Sequence, residues 1–229
     1  MNNLALNRMV AMLFMVPQNV TQQSKAARFG HKGIPVILQQ SAAALGLLVI
    51  SPLLLLTMLF IRMESQGPVF FTQVRVGENG RRFHCYKFRS MYLKTDPKYR
   101  EPEPSDSDRE GVCKKYYNDP RITRVGKFIR KYSIDELPQL LNVLKGDMML
   151  IGPRPHLTTE YDNYDRNIMP RLYCKPGLTG LWQVNGRADT DFEQQLQFDK
   201  DYIQQQSIWL DIKILLATVP AVLGAKGAY

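Results

Sequence analysis

The chain has 229 residues, with 30 Lys and Arg against 21 Asp and Glu, so its formal net charge is +9. Hydrophobic residues make up 45% and charged residues 22%, proportions typical of globular proteins, which excludes a disordered or collagen-like chain. A mean hydropathy of −0.26 excludes a polytopic membrane protein. The basic balance indicates a negatively charged partner, and composition alone leaves nucleic acid, anionic lipid and phosphorylated substrates open.

The three cysteines, Cys85, Cys113 and Cys174, are scattered and form no C-x-x-C pair. An odd, widely spaced set argues against a disulfide framework and against a structural zinc site. Reduced thiols in the cytosol are the simplest interpretation. None of the three histidines has a partner at metal-ligand spacing, which favours packing or surface roles for them.

A long uncharged segment, Gly33–Ile61, predicts a membrane helix. Its 29 residues are enough to cross a bilayer, and the segment is too long for the core of a signal peptide. The shorter apolar run Met9–Val16 is interpreted as an interfacial segment. Residues 1–32 then form an N-terminal interfacial unit ahead of a membrane helix at residues 33–62.

Ser51-Pro52 lies at the middle of this segment and predicts a kink or break, because proline removes a helical hydrogen bond to the carbonyl of Leu48. Basic residues flank both ends of the segment, and such residues mark the cytoplasmic side of a membrane helix. They are Lys25, Arg28, Lys32, Arg62, Arg75, Arg81 and Arg82. A re-entrant helix that breaks at Ser51-Pro52 places both basic flanks on the cytoplasmic side of the membrane. A proline-kinked single span places only one of them there. Charge and proline alone leave both topologies open.

The remainder, residues 63–229, has the signals of a small α/β domain. Val69–Val76 and Arg82–Arg89 have strand composition and flank a turn that ends in Asn-Gly, which predicts a β-hairpin. On the second strand Lys87 and Arg89 are two residues apart and are expected to share one face.

The spacing of apolar residues after position 124 predicts a basic amphipathic helix. Its apolar stripe, at i, i+3, i+4 and i+7, consists of Val125, Phe128, Ile129 and Tyr132. Such a helix is typical of a membrane-surface element, and a solvated surface helix is the alternative. Asp191–Gln206 has the composition of a polar helix. The tail Ser207–Leu223 carries an apolar stripe with Trp209 and is interpreted as an interfacial helix.

Shorter elements are predicted between these helices. Ser133 and Glu136 have the spacing of a capping box, which predicts a helix from there to about Leu144, although Pro138 would fit better as the first helical residue. Lys145-Gly146-Asp147 is expected to close this helix. Met148–Ile151 and Leu178–Val184 have the composition of strands.

Asp135 and Glu136 are the candidate catalytic residues. Their position beside a basic helix and at the amino end of a helix is expected to hold both carboxylates ionised. An ionised Asp can act as a nucleophile toward phosphorus, and a carboxylate pair can bind Mg²⁺ together with a substrate diphosphate. Helix capping with a surface ion pair is the alternative that spacing alone leaves open. The sequence contains no P-loop, Rossmann or metalloprotease motif.

Six ordered motifs give the sequence a family resemblance. They are Lys87–Met91, Ser133–Leu140, Leu144–Met148, Gly152–Pro155, Lys175–Gly180 and Gln183–Arg187. In this order they resemble the bacterial sugar transferases, which are monotopic polyprenol-phosphate hexose-1-phosphate transferases, from about Ile34 to Tyr229. The resemblance implies an α/β catalytic domain on the cytoplasmic face of the bacterial inner membrane, held by a re-entrant helix broken at Ser51-Pro52.

The resemblance also implies a reaction and a set of site residues. A sugar 1-phosphate passes from a UDP-sugar to undecaprenyl phosphate, with release of UMP and with Mg²⁺. This is the initiating step of exopolysaccharide, capsule or O-antigen assembly, and the whole-length match favours UDP-glucose or UDP-galactose as donor. Asp135 is implied as the nucleophile of a covalent phosphosugar intermediate, and Asp135 and Glu136 as the Mg²⁺ ligands. The implied phosphate-binding residues are Lys87, Arg89, Arg130 and Arg154.

Two other classes of function compete with this one. A basic peripheral adaptor would use the charge and the amphipathic helices, but it leaves the dyad beside Arg130 and Lys131 unexplained. Nucleic-acid binding suits the charge but not an uncharged apolar run of 29 residues, so no nucleic-acid partner is expected. The expected partners are the UDP-sugar, undecaprenyl phosphate and the bilayer, and a homo-oligomer is left open. Larger relatives carry further transmembrane helices and a domain ahead of this core, whose functions are expected to be absent here.

Overall fold

The computed structural model describes residues 31–103, 116, 118–162, 169–185 and 192–224. The predicted interfacial run Met9–Val16 therefore lies outside the described residues, as does Cys113. Cys85 and Cys174 are free thiols. Helices and short strands are mixed along the described chain, which confirms a fold built from both.

The described chain folds into helices and two small sheets. In chain order the elements are α1 (Val36–Glu64), β1 (Phe70–Val76), β2 (Arg82–Phe88), α2 (Arg124–Lys131), α3 (Leu140–Lys145), β3 (Met149–Ile151), β4 (His156–Leu157), α4 (Thr158–Tyr161), β5 (Gly177–Thr179), α5 (Leu181–Val184), α6 (Phe192–Gln205) and α7 (Ile208–Leu223). Short 3₁₀ segments lie between them at Glu78–Gly80, Ile134–Gln139 and Met169–Tyr173. The helices predicted around residues 125–132, 191–206 and 207–223 are confirmed as α2, α6 and α7.

The predicted β-hairpin is confirmed as β1 and β2, which pair antiparallel along their whole length. Asn79 and Gly80 in the turn have positive φ values of 55° and 78°, as hairpin turns of the Asn-Gly type require. Strand β4 extends the sheet on the other side of β1. The second sheet pairs β3 with β5 in parallel. Gly177 permits this pairing, because a Cβ there would lie 2.0 Å from the backbone nitrogen of Gly152.

Helix α1 is long and apolar enough to cross a membrane by length and composition, and it is also a core helix. In its first half Ala43 packs into a cluster with side chains of β2 and α3. In its second half Leu54 and Ile61 pack with side chains of β2 and α2. The opposite face leaves large apolar side chains such as Leu48 and Leu55 exposed. One face of α1 therefore lies against the folded domain along most of its length.

Two glutamines attach the start of α1 to the rest of the domain. Gln39 is 1% exposed, and its side-chain oxygen accepts from the N–H groups of Leu150 at 2.8 Å and Ile151 at 3.3 Å on β3. Gln40 donates to the carbonyl of Leu144 at the end of α3, at 3.2 Å. Buried polar side chains need such partners, so these bonds fix the amino-terminal end of α1 on the domain.

The predicted break at Ser51-Pro52 does not interrupt α1, which is continuous through Pro52. The hydroxyl of Ser51 donates to the carbonyl of Leu48 at 2.8 Å. This is the carbonyl that Pro52 leaves without its helical donor. Because the freed carbonyl is satisfied locally, the chain can stay in the helix at this point.

The predicted capping box at Ser133 is wrong. Ser133 has φ 54°, in the left-handed region, and its side chain makes no capping hydrogen bond. The Glu136 side chain instead accepts from Lys87, because a charged donor binds a carboxylate more strongly than a single backbone N–H. The helix that follows ends as predicted, with Gly146 in the left-handed region at φ 79°.

The strand predicted over Leu178–Val184 is confirmed only at its start. Strand β5 ends at Thr179, and Leu181–Val184 forms the short helix α5. The change of direction falls at Gly180, where a Cβ would lie 2.2 Å from the carbonyl oxygen of Gly152. Close backbone packing at that glycine, which periodicity cannot show, ends the strand.

We expect Gln39→Leu to destabilise the protein by about 1–3 kcal/mol, because it leaves two buried N–H groups of β3 without an acceptor. Unfolding of the purified protein in detergent by urea or heat measures this loss. Ser41→Leu, at an exposed position two residues further along α1, is the matched control and should change stability little. Equal stability of Gln39→Leu and wild type would show that this bridge contributes nothing.

Candidate active site

The two candidate carboxylates lie in the 3₁₀ segment Ile134–Gln139, between α2 and α3. The ammonium group of Lys87, near the end of β2, donates to Oε1 of Glu136 at 2.5 Å. The Lys87 side chain is 24% exposed and that of Glu136 is 37% exposed. The predicted dyad and its predicted lysine are therefore brought together in a place that solvent still reaches.

The neighbouring carboxyls differ in their acidity. Burial, followed by the charge of Glu136, raises the pKa of Asp135 to about 6, although Lys87 and Arg130 oppose the change. Burial also acts to raise the pKa of Glu136, but Lys87 and other cations outweigh it and bring that pKa below its ordinary value. The expectation that the surroundings favour the ionised form therefore applies to Glu136, whereas for Asp135 burial favours the protonated form and leaves a pKa that is still below neutral pH.

Two further predicted cations lie near the dyad. Arg130 ends α2 and is close enough to Asp135 to oppose the rise in its pKa. Arg154 lies close enough to Glu136 to help lower its pKa. Its guanidinium carbon is 5.3 Å from the centre of the Trp182 ring, a cation–π contact that restricts where the side chain can point.

The fourth predicted cation, Arg89, is directed elsewhere. It follows the last residue of β2 and donates to the backbone carbonyls of Ser65 at 2.8 Å and Gln66 at 2.5 Å. These carbonyls lie just beyond the end of α1, where backbone groups need partners from outside the helix. The prediction that Arg89 shares a face with Lys87 and binds phosphate is thus not supported by its contacts.

The sequence placed Arg75 among the basic residues flanking α1 but did not predict it as a neighbour of the site. The hairpin register places Arg75 opposite Phe83 and Lys87 opposite Phe71, so both cations lie on the same face of the hairpin. The Arg75 side chain is buried and donates to the carbonyl of Pro155 at 3.1 Å. Counting the register back from the Asn-Gly turn would have revealed this neighbour of the site.

Sequence reasoning also missed Asn142, which is fully buried on α3. Its amide donates to the carbonyl of His84 at 2.7 Å, and its side-chain oxygen accepts from the N–H of Tyr86 at 3.0 Å. Asn142 thus pairs with the edge of β2 in the way another strand would. The contact fixes α3, and with it the dyad just ahead of α3, against the strand that carries Lys87.

The end of α1 is joined to the helix that leads into the dyad. Both carboxylate oxygens of Glu64 accept backbone N–H groups at the start of α2, from Arg124 at 2.7 Å and from Val125 at 2.8 Å. The first N–H groups of a helix have no partners within it, and a carboxylate there is also favoured by the helix dipole. Glu64 therefore sets the position of α2 relative to α1.

The donor set at the dyad suits one mode of magnesium binding. In the described part of the chain, no group of three or more His, Cys, Asp and Glu side chains could enclose a metal ion. Mg²⁺, however, is commonly held by one or two carboxylates together with substrate phosphates. Asp135 and Glu136 supply two adjacent carboxyl groups, one oxygen of which accepts from Lys87. The dyad fits Mg²⁺ in this substrate-assisted mode.

Comparison with known proteins identifies the family. A family model described as bacterial sugar transferase matches residues 31–225. The chain belongs to the bacterial sugar transferase family. This confirms the resemblance found in the six motifs.

Several curated proteins are similar to this sugar transferase. Galactosyl transferase CpsE of Streptococcus agalactiae is 44% identical over 210 residues, which cover 91% of this chain and 46% of that protein. Exopolysaccharide production protein ExoY of Rhizobium meliloti is 42% identical over 191 residues, which cover 82% of this chain and 84% of that protein. A UDP-glucose:undecaprenyl-phosphate glucose-1-phosphate transferase of Xanthomonas campestris pv. campestris is 39% identical over 233 residues, which cover 98% of this chain and 46% of that protein. The chain spans about half the length of the first and third relatives.

Asp135→Asn is expected to stabilise the protein at pH 7.5 in the absence of Mg²⁺. The folded pKa of about 6 lies above the ordinary 3.8, so the folded state gives up this proton less readily than the unfolded chain does. Stability is therefore lost as pH rises from about 4 to about 6. Removing the carboxyl should recover about 1–3 kcal/mol at pH 7.5 and nothing near pH 4. Urea unfolding with EDTA over this pH range measures the gain.

Asp201→Asn is the matched control for this measurement. The Asp201 carboxylate lies on the exposed side of α6, where it accepts from Gln197 at 2.7 Å. The same loss of one carboxyl group at this position should leave the free energy of unfolding close to that of the wild type. A loss of stability at pH 7.5 in Asp135→Asn would contradict a raised pKa at Asp135.

Proposed function

We propose that this sugar transferase moves a sugar 1-phosphate from a UDP-sugar to undecaprenyl phosphate and releases UMP. The observation that carries the proposal is the Asp135-Glu136 dyad, with Lys87 bonded to Glu136 and with Arg130 and Arg154 close by. Paired carboxylates amid several cations suit phosphoryl transfer. Relatives named for galactosyl and UDP-glucose transfer support a hexose donor.

The proposed reaction has two displacements at one phosphorus atom. In the first, a carboxylate oxygen of Asp135 bonds to the β-phosphorus of the UDP-sugar while the bond from that phosphorus to the bridging oxygen breaks. UMP leaves with the electron pair, and the sugar 1-phosphate stays on Asp135. In the second, an oxygen of undecaprenyl phosphate bonds to the same phosphorus and frees the Asp135 carboxylate. The product is a sugar linked to the lipid by a diphosphate.

The surroundings of the dyad suit the two carboxyls to different tasks. A pKa of about 6 at Asp135 leaves it mostly ionised at neutral pH, and more basic than an ordinary Asp, which favours nucleophilic attack. Glu136 is anchored by Lys87. When bound by Asp135 and Glu136, Mg²⁺ supplies further positive charge to the diphosphate oxygens. Lys87, Arg130 and Arg154 supply the remaining positive charge around the phosphates.

We further propose that α1 is re-entrant, bent at Pro52 rather than interrupted there, with both ends on the cytoplasmic face of the bacterial inner membrane. Gln39 ties its first turn to β3, and Glu64 ties its last turn to α2. A helix of 29 residues is about 43 Å long, longer than the hydrocarbon core of about 30 Å. A perpendicular span would place these two ends, and the polar groups of one folded domain, on opposite sides of the bilayer.

Exposed apolar side chains on other helices support a membrane-facing surface. Phe128 on α2 is exposed, and on α7 the exposed side chains recur at helical spacing, beginning with Trp209, which is 64% exposed. Lys213 lies 5.6 Å from the centre of the Trp209 ring, a pairing suited to the headgroup region. In this arrangement the lipid acceptor reaches the dyad from the bilayer. Relatives named for exopolysaccharide production support a place at the start of polysaccharide assembly.

Asp135→Asn should reduce UMP release by several orders of magnitude, because the amide cannot form the covalent intermediate. UMP release from UDP-glucose and UDP-galactose, with Mg²⁺ and undecaprenyl phosphate, measures the loss. Membrane association of the variant should be unchanged, and Asp201→Asn should retain activity. A variant that turns over at more than a few per cent of the wild-type rate would show that Asp135 is not the nucleophile.

The topology is tested by cysteine labelling with an impermeant reagent. Single cysteines in place of Val20 and Gln66, in a chain without the native three, lie on either side of α1. In intact spheroplasts neither site should react from outside, and both should react after permeabilisation. Labelling of the residue 20 site from outside would mean that α1 spans the bilayer and that the re-entrant topology is wrong.

A further inference from the structure

Arg75 is a buried cation without a carboxylate partner. Its side chain is 6% exposed, and it belongs to none of the ion pairs formed among the described residues. Arg171, by contrast, is equally buried and is paired with Asp199. A buried charge without a direct ion pair is costly, so a negative group brought by a ligand would be favoured beside Arg75.

Among the described residues, the hydrogen bonds of Arg75 are with neutral acceptors. One terminal nitrogen donates to the carbonyl of Pro155 at 3.1 Å, and the other donates to Oε1 of Gln73 at 2.7 Å. The Nε atom has no hydrogen-bond partner among the described residues. These bonds orient the guanidinium, but they leave its charge uncompensated and one of its donors unused.

A second guanidinium lies beside the first. Arg154 is adjacent in sequence to Pro155, whose carbonyl Arg75 holds. Burial, followed by the charge of Arg154, lowers the pKa of Arg75 to about 10, so the Arg75 guanidinium is still charged at neutral pH. Two carboxylates, Glu160 and Glu136, act on Arg75 from a distance. Glu160, however, accepts from the N–H of Leu157, and Glu136 accepts from Lys87. Positive charge therefore exceeds negative charge on this side of the dyad.

We propose that Arg75 and Arg154 together bind a phosphate monoester, which supplies the missing negative charge. The inference rests on the function proposed above, which involves two such groups. One is the phosphate of UMP, which gains the electron pair of the broken phosphorus–oxygen bond. The other is the phosphate of the undecaprenyl acceptor. Guanidinium groups match phosphate oxygens with paired donors, and two of them facing one phosphate remove the repulsion between Arg75 and Arg154.

The direct test measures binding of UMP to the full chain in detergent. Arg75→Gln removes the charge and keeps an amide donor, and it should raise the dissociation constant for UMP about 10-fold or more. Arg82→Gln is the matched control, since Arg82 is an exposed arginine on β2 and the change in net charge is the same. The control should bind UMP as the wild type does.

A second measurement separates the two sources of phosphate. Without lipid, one equivalent of UDP-sugar should give a burst of UMP as the covalent intermediate forms. A burst slowed by Arg75→Gln identifies the nucleotide phosphate as the ligand. A normal burst and normal UMP binding, with a raised KM for undecaprenyl phosphate, identify the acceptor phosphate. If UMP binding, the burst and the lipid KM all match the wild type, the phosphate site does not exist.

The remaining outcomes separate a structural role from a binding role. An arginine that only supports the fold predicts a lower unfolding midpoint with unchanged constants for both phosphates, and that result overturns the proposal. If Arg75→Gln does not fold, Arg75→Lys carries the test, because an ammonium lacks the planar fork and should weaken phosphate binding several-fold. Wild-type constants in Arg75→Lys would then count against the site.

The proposed transfer reaction and the proposed phosphate site at Arg75 and Arg154 can be refuted independently of each other. A wild-type protein that releases no UMP from any UDP-sugar, with Mg²⁺ and undecaprenyl phosphate, refutes the proposed reaction. UMP binding that is lost in Arg75→Gln and kept in Arg82→Gln would still establish the phosphate site. An active wild type with unchanged constants in the Arg75 variants would leave the reaction standing and remove the site.

Discussion

The structure depends on helix α1, which is apolar on two faces: one packs into the protein core and the other is exposed. One face of α1 carries Ala43 and Ile61 into clusters with β2, α2 and α3. The other face exposes Leu48 and Leu55. A core helix of a water-soluble protein has a polar outer face, so the exposed apolar face indicates contact with lipid or another apolar surface. Removing α1 would open the protein core and would also remove that surface.

The same helix determines where the dyad lies. Gln39 binds β3 near one end of α1, and Glu64 caps α2 at the other. The dyad follows α2 directly in the chain, and Asn142 holds the next helix against β2. The dyad is thus positioned through both ends of the apolar helix. In the reaction proposed above, with a lipid phosphate as acceptor, this would hold the proposed nucleophile at a fixed depth relative to the bilayer surface.

Sequence predicted those elements whose signals are local. The Asn79-Gly80 turn, the stripe of α2 and the glycine that ends α3 act on their immediate neighbours, and the structure agrees with them. The cap predicted at Ser133 is wrong, and Arg89 is directed away from the dyad, because the surroundings of both residues come from distant segments. Lys87 draws the Glu136 side chain away from the cap, and the carbonyls beyond α1 take Arg89. Spacing along the chain carries no information on such long-range partners.

Motifs predicted the kinds of residue at the site, but not how charge is divided among them. The two carboxyls are adjacent in sequence, yet burial and the neighbouring charge raise the pKa of Asp135, whereas Lys87 helps to keep that of Glu136 low. Carboxyl pairs whose pKa values are driven apart by their surroundings can take different roles in one reaction. In the proposed reaction, the proton affinity retained by Asp135 suits it to forming a bond to phosphorus, while the charge on Glu136 is held in place by its lysine. The cations around the pair outnumber its two negative charges, so a phosphate entering the proposed site would bring it closer to charge balance, and the same excess of positive charge would attract an anionic substrate.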